Sequence, residues 1–284
     1  MAVHCLTRSC FSLLQGTMTP EVLVKTAVEA GYHAIALTDR NKLHGVPDFV
    51  KATQKHQIKP ILGMELDTEV EGSVFPFLLL AKDDEGYRGL MRLSTMISCA
   101  PFKVTLNDIA LYQEHLWVVA FGEGGVLEEA MIKENRSRLE EQLIALKQVI
   151  PSIVAACSYE ESSFWHLRND VLRDTCKRLR IRTLAVSKVY YAKQSDDTTF
   201  RVLNAIGTQQ TLSDKNLPSF EGRWMLSPLE MEHLYPQSEL LFSDEIAASC
   251  HYDFKPVGAR LPKFDLPHGV EAKQYLTQLC LQGL

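Results

Sequence analysis

The sequence predicts an α/β fold, and within that class a closed or nearly closed barrel. Three observations carry the expectation. Apolar runs of strand length alternate with amphipathic helical patterns as far as residue 210, which implies parallel βαβ units. No Gly/Ser-rich stretch or charge run interrupts them as a linker would. Two carboxylates, Asp39 and Glu65, stand at the ends of two apolar runs, where α/β barrels keep their chemistry. A doubly wound open sheet would show the same alternation and stays open as the alternative.

Taken in order, Met1 to Leu6 has the make-up of a short strand. Thr19-Pro20-Glu21 then supplies an N-cap, a proline at the first helical position and an early acid, for a helix that Gly31 terminates. Residues 33–38 read as a buried strand, 46–56 as a helix and 61–68 as another strand. A strand at 75–81 and a helix at 84–98, capped by Asp83 or Asp84, continue the alternation. Further strands are expected at 116–121, 153–157 and 183–186, with helices at 126–133, 137–149 and 160–179. After residue 210 the pattern turns to helices at 227–234 and 238–249 and a proline-punctuated segment, Lys255 to Pro267. A last amphipathic helix, 270–283, carries Val270, Tyr275, Leu276 and Leu279 with nothing after it to complete an apolar layer. The expected organisation is a barrel over 1–210 and a helical extension over 211–284, in a chain expected to be part of something longer.

Composition narrows the class. The 284 residues are 46% hydrophobic and 23% charged, as in an ordinary globular protein. A formal net charge of −5 provides no overall field for nucleic acid, so any DNA contact would be local or supplied by another part of an assembly. Seven scattered cysteines with no C-x-x-C pair argue for reduced thiols and against both a zinc ribbon and a disulfide framework. No run reaches membrane-spanning length and the N-terminus lacks a signal-peptide pattern, so a cytoplasmic location is expected.

Several phrases taken together resemble a known family. They are Ser12-Leu-Leu, Leu23 to Tyr32, Ala34-Ile-Ala-Leu-Thr-Asp39, Ile58-Lys-Pro-Ile-Leu-Gly63-Met-Glu65 and Leu79 to Tyr87; near the C-terminus, Leu261-Pro-Lys-Phe264 and Tyr275 to Leu284 add to them. Their order and spacing resemble the N-terminal PHP (polymerase and histidinol phosphatase) domain of the bacterial DNA polymerase III alpha subunit, of Gram-positive type. The resemblance implies a distorted seven-stranded (β/α)7 TIM-like barrel whose strand-end loops hold up to three divalent metals.

Set against the family pattern, most ligand positions are altered. Leu6-Thr7-Arg8 stands where metal-binding members have His-x-His. His4 lies two residues too early, an offset of about 6 to 7 Å along a strand. The Asp-His pair reads Asp39-Arg40, and Glu65 matches the metal-bridging acid. Pro76 stands at a His position, the stretch Gly122 to Gly125 lacks the Cys, and Asn-Asp-x-His reads Ser187-Lys188-Val189-Tyr190. Asp39 and Glu65 are thus vestigial ligand positions, too few for a cluster of divalent ions. Their negative charge would need pairing. The expectation is that Arg8, Arg40 and Lys188 occupy the space and pair with these acids, with no metal and no confident catalytic residue. The competing readings are a solvated mouth without mutual contacts, a single surviving metal, and a cluster that binds an anion such as phosphate.

Other candidates have ordinary explanations. His33, His44, His115, His166 and His233 each stand alone, and Cys5 and Cys10 lack an assignable base. The Gly122 to Gly125 run lacks the Lys and Ser/Thr of a P-loop. Trp165 and Tyr190-Tyr191 have no basic cluster beside them that would argue for base stacking. The expected function is therefore architectural. The domain itself would be catalytically inactive, part of a nucleotidyltransferase whose polymerising aspartates lie elsewhere. It would pack on the polymerase palm and thumb, meet DNA through the larger polymerase, and contact a proofreading exonuclease or other replisome proteins. The enzyme alternative is a 3′ to 5′ exonuclease or phosphomonoesterase using Mn, Zn or Mg, with Arg8, Arg40 and Lys188 as a phosphate clamp.

Overall fold

The computed structural model describes residues 2–99, 103–158, 163–214, 222–253 and 264–283. Its elements run β1 (Leu6–Thr7), α1 (Pro20–Glu29), β2 (Ala34–Leu37), α2 (Val46–His56), β3 (Lys59–Val70), β4 (Ser73–Ala81), α3 (Asp84–Ser98), α4 (Leu106–Ala110), β5 (Leu116–Phe121), α5 (Glu128–Ile132) and α6 (Arg136–Val149). They continue with β6 (Val154–Ser158), α7 (Ser163–Leu179), β7 (Arg182–Val186), β8 (Lys188–Val189), α8 (Asp197–Thr208), α9 (Pro228–Leu234), α10 (Gln237–Ser249) and α11 (Ala272–Gln282). The starts of α1 and α3 follow their caps: Thr19 Oγ1 accepts from the Val22 amide and Asp83 Oδ1 from the Gly86 amide.

Among the described residues, β2 to β7 form one six-stranded sheet in sequence order. The short strand β1 bridges from β2, at one end of the sheet, to β8, which follows β7 in the chain. Leu6 and Thr7 pair in parallel with Lys188 and Val189, while the Ala36 amide donates to the His4 carbonyl and the Thr38 amide to the Thr7 carbonyl. The result is a distorted α/β barrel.

Two expectations need correction. The sheet is not parallel throughout: β4 is antiparallel to both β3 and β5. A two-residue turn at Glu71-Gly72, with φ of 51° and 82°, reverses the chain where a crossover helix would be needed for a parallel strand. The N-terminal strand is also shorter than expected, Leu6–Thr7 in place of residues 1–6.

Both faces of the sheet are buried, by residues of alternate parity. Ala34, Ala36, Ile61, Leu78, Leu80, Val119, Phe121, Val154, Ala156, Leu184 and Val186 fill the inside of the barrel. Ile35, Leu37 and Leu62 pack outward with Leu23, Val24 and Phe49 of α1 and α2. Met64, Leu79, Val118, Ala120 and Ala155 pack with Leu90, Leu143 and Leu172 of α3, α6 and α7. From α10, Phe242, Ile246 and Ala247 join the inner cluster, so this helix belongs to the barrel's core although it follows residue 210.

One compact unit covers Met1–Tyr252 and a second Asp253–Leu284, a division later than the expected boundary at 210. In the second unit α11 exposes Leu276, Leu279 and Leu281, and the Phe264 ring packs 5.9 Å from that of Tyr275. Most of the Lys255 to Pro267 segment, Leu261 to Lys263 of the family-like phrase, Leu284 and the first residues expected of α7 lie outside the described residues.

Candidate functional site: the charged mouth of the barrel

The inner rows of the barrel continue past the strand ends into charged residues. Leu6 is followed two positions on by Arg8, Gly63 by Glu65 and that in turn by Asp67, Phe121 by Glu123, and Val186 by Lys188. Strand pleating puts each of these on the side of its predecessor. Arg8, Glu65, Glu123 and Lys188 meet in a cleft of about 470 Å³ that Gln15, Arg40 and Tyr190 also line, while Asp67 lines a neighbouring one with Arg40 and Gln15.

Arg8 is the centre of the arrangement. Only 7% of it is exposed. Its Nη2 donates to both oxygens of Glu65 at 2.7 Å, and its Nε donates to Glu65 Oε2 at 3.0 Å. Nη1 donates to Gln15 Oε1 at 3.0 Å, and the guanidinium carbon lies 4.5 Å from the centroid of the Tyr190 ring. Burial acts against the Arg8 charge. The electrostatic influence of Tyr190 and the contacts with Glu65 outweigh it, so the guanidinium is held above its ordinary pKa.

Asp39, 1% exposed, is satisfied by other groups. Its Oδ1 accepts from the Ser9 amide at 2.8 Å and from Ser12 Oγ at 2.6 Å, and its Oδ2 accepts from Ser9 Oγ at 2.7 Å. Burial raises its pKa, opposed by these three hydrogen bonds and by the nearby Arg8 charge. Asp39 therefore organises the loop after β1. The Ser12 hydroxyl also accepts from the Arg40 amide at 3.0 Å, which ties that loop to the end of β2.

Arg40 and Lys188 do not pair with Asp39 or Glu65 as expected from sequence. Arg40 Nη2 donates to Asp67 Oδ1 at 2.8 Å, and its Nε lies 3.2 Å from both Asp67 oxygens. Lys188 Nζ lies 2.9 Å from Glu123 Oε1, the same oxygen that Arg223 Nη2 approaches at 2.7 Å. Sequence reasoning missed Asp67, Glu123, Arg223 and Gln15. Asp67 and Glu123 had a usable signal, since each lies two positions beyond an inward-facing residue. Arg223, 100 positions from Glu123, had none.

The remaining candidates fall elsewhere. His4 is buried beside Tyr32 and the Leu226 carbonyl. His44 and Cys10 are exposed, while Cys5 is in the barrel core. His33 pairs with Asp244 and His115 with Asp83 at the surface. Among the described residues, no group of three or more His, Cys, Asp or Glu side chains is placed to hold a metal ion. The donors at the altered positions are engaged by other protein groups. Both oxygens of Glu65 are taken by Arg8, and both oxygens of Asp39 by serine donors.

The chain belongs to the PHP domain family, whose model matches residues 4–154. It is 31% identical over 298 residues to the DNA polymerase III subunit alpha of Bacillus subtilis (strain 168), covering 99% of this chain and 26% of that one. With the same subunit of Treponema pallidum (strain Nichols) it shares 28% identity over 308 residues, again 99% of this chain and 26% of the relative. The chain thus spans about a quarter of the length of the curated relatives it matches. Among solved structures it is similar to an amidohydrolase from Chromobacterium violaceum with bound sulfate and no metal, at 12% identity and a TM-score of 0.49, over 67% of this chain and 88% of that one.

Proposed function

We propose that this chain is the N-terminal PHP domain of a replicative DNA polymerase III alpha subunit and serves there as a structural and interaction module without hydrolytic activity of its own. One observation carries the reading: the fork of Arg8 engages both oxygens of the matched bridging acid, Glu65, so a metal ligated there would have to displace or crowd a guanidinium. A metal-activated water would need such a ligand. The phosphate clamp of the enzyme alternative is likewise committed, because Arg8, Arg40 and Lys188 each hold an acid. Whole-chain similarity to alpha subunits supports the polymerase context, with the palm and thumb of the same subunit as the packing surface, DNA met through the larger polymerase, and a proofreading exonuclease or other replisome proteins as further partners. A cytoplasmic location belongs to the same proposal. No helix among the described residues is long and apolar enough to cross a membrane.

The test is hydrolysis of a 3′-tailed DNA and of a generic phosphomonoester by the purified chain with Mn²⁺, Zn²⁺ or Mg²⁺, alongside metal analysis of the same sample. No turnover is expected with any ion. Turnover that rises with metal content would replace the module by a phosphoesterase.

A further inference from the structure

The position of Arg8 carries a sharper statement than the absence of hydrolysis. Its guanidinium touches Glu65 on one side and the Tyr190 ring on the other, so it fills the space between those two positions. Glu65 is 4% exposed, and a carboxylate buried to that degree requires a compensating charge. A divalent ion brings that charge from solution. An arginine directly after β1 brings it covalently, at no cost in ion binding, and is never deprotonated at working pH. The surrounding charges balance as well. Arg8, Arg40, Lys188 and Arg223 face Glu65, Asp67 and Glu123, with Asp39 just behind, so the mouth leaves no excess negative field to attract a cation.

We propose that Arg8 is a tethered counter-cation, occupying the place from which a divalent ion would ligate Glu65, and that the barrel mouth is closed to metals for that reason. This rests on the membership of a family that implies such ions, and on the engagement of the donors described above. It also separates cause from correlation. The chain would refuse metal because a guanidinium is in the way, and substitution of the two residues that touch each other there should admit one.

The experiment measures zinc by equilibrium dialysis and elemental analysis, and melting temperature with EDTA or excess Zn²⁺, for the whole chain and for an Arg8→His, Tyr190→His double variant. In the double variant two imidazoles and Glu65 converge on the vacated space, enough donors for one ion. The native chain should retain well under one zinc per molecule and melt within about 1 °C in the two conditions, since an ion that does not bind the fold cannot stabilise it. The double variant should bind about one zinc, at least roughly 100-fold tighter than the native chain, and melt higher with zinc than with EDTA. Adding Glu65→Gln should abolish the gain. A native chain that binds zinc stoichiometrically, or shifts its melting by several degrees, overturns the proposal whether or not the variant folds. So does a folded double variant, judged by circular dichroism, with no gain in affinity. Either result can occur without hydrolysis, so failure here is distinguishable from failure of the module reading, which only turnover overturns.

Discussion

Arg40 reaches past its neighbour Asp39 to hold Asp67, the second of two acids that β3 turns toward the barrel mouth. Glu65 and Asp67 are two residues apart on one strand, so both point the same way. Two arginines divide them, Arg8 taking the inner acid and Arg40 the outer. The two pairs differ in burial. The Arg8 and Glu65 side chains are 8% and 5% exposed, those of Arg40 and Asp67 36% and 20%. That difference sets unequal consequences for their loss.

Removal of Arg8 should be severe. Arg8→Met leaves Glu65 buried without its counter-charge and should cost about 3–5 kcal/mol. Combining it with Glu65→Met should recover most of the loss, because the pair is then replaced by apolar side chains of similar volume. Urea denaturation of the two single variants and the double variant measures this. A double variant as unstable as the sum of the singles would mean that Arg8 and Glu65 do not act as a unit.

At the outer pair the backbone should matter more than the charge. Arg40→Ala removes a half-exposed ion pair and should cost about 1 kcal/mol or less, shrinking further in high salt. Asn41→Ala should cost more, about 1–2 kcal/mol. Asn41 Nδ2 donates to Asp67 Oδ2, its Oδ1 accepts from the Asp67 amide, and its φ of 58° suits asparagine better than alanine. A larger loss for Arg40→Ala than for Asn41→Ala would reverse this ranking.

How much of this was legible in the sequence differs between local and long-range features. The helices Val46–His56 and Asp84–Ser98 have the expected bounds because local groups set them: Asp83 caps one, and Gln57, at φ 55°, ends the other. The direction of β4 was not legible. An apolar run such as Phe75 to Ala81 reads the same either way, and the reversal depends on Glu71 entering a left-handed conformation that its identity does not announce. The same division holds at the mouth. Arg8, Asp39, Arg40, Glu65 and Lys188 could be singled out by comparison with a ligand pattern. Which cation meets which acid depends on strand pleat and on Arg223, brought in from a distant loop.

His4 should make stability depend on pH in a definite direction. It is buried, its Nε2 meets the Leu226 carbonyl and Tyr32 Oη at 3.0 Å, and its Nδ1 has no hydrogen-bond partner among the described residues. Burial lowers its pKa to about 4. The unfolded chain takes up the proton near pH 6.5 and the folded chain only near pH 4, so the His4 contribution is fully present above pH 6.5 and lost as pH falls between those values. The full loss is about 3 kcal/mol. Asp39 works in the opposite sense, since its raised pKa lets the folded state hold a proton more readily than the unfolded chain. Urea denaturation from pH 7 to pH 4 should therefore be compared between the native chain and His4→Gln. The variant should lose the His4 part of the slope, and an unchanged slope would remove His4 as its source.

Gly63 should tolerate no side chain, and the effect should reach the mouth. A β-carbon there would lie 2.6 Å from the Leu79 carbonyl oxygen, 2.7 Å from Leu80 Cδ2 and 2.8 Å from Thr38 Cγ2. The Leu80 and Thr38 contacts are side chains packed in the core, and the carbonyl belongs to β4, where Gly63 stands opposite Leu80 in the pairing. Relief would require β3 to move away from β4, two residues before Glu65. Gly63→Ala should cost about 3 kcal/mol, the upper end for overpacking by one carbon. It should also loosen the Arg8 fork, which amide and guanidinium hydrogen exchange would register as faster exchange at Arg8 than in the native chain. If Gly63→Ala lowers stability while Arg8 exchange stays unchanged, the strain is absorbed toward Thr38 and β2, and the β3–β4 pairing does not set the geometry of the mouth.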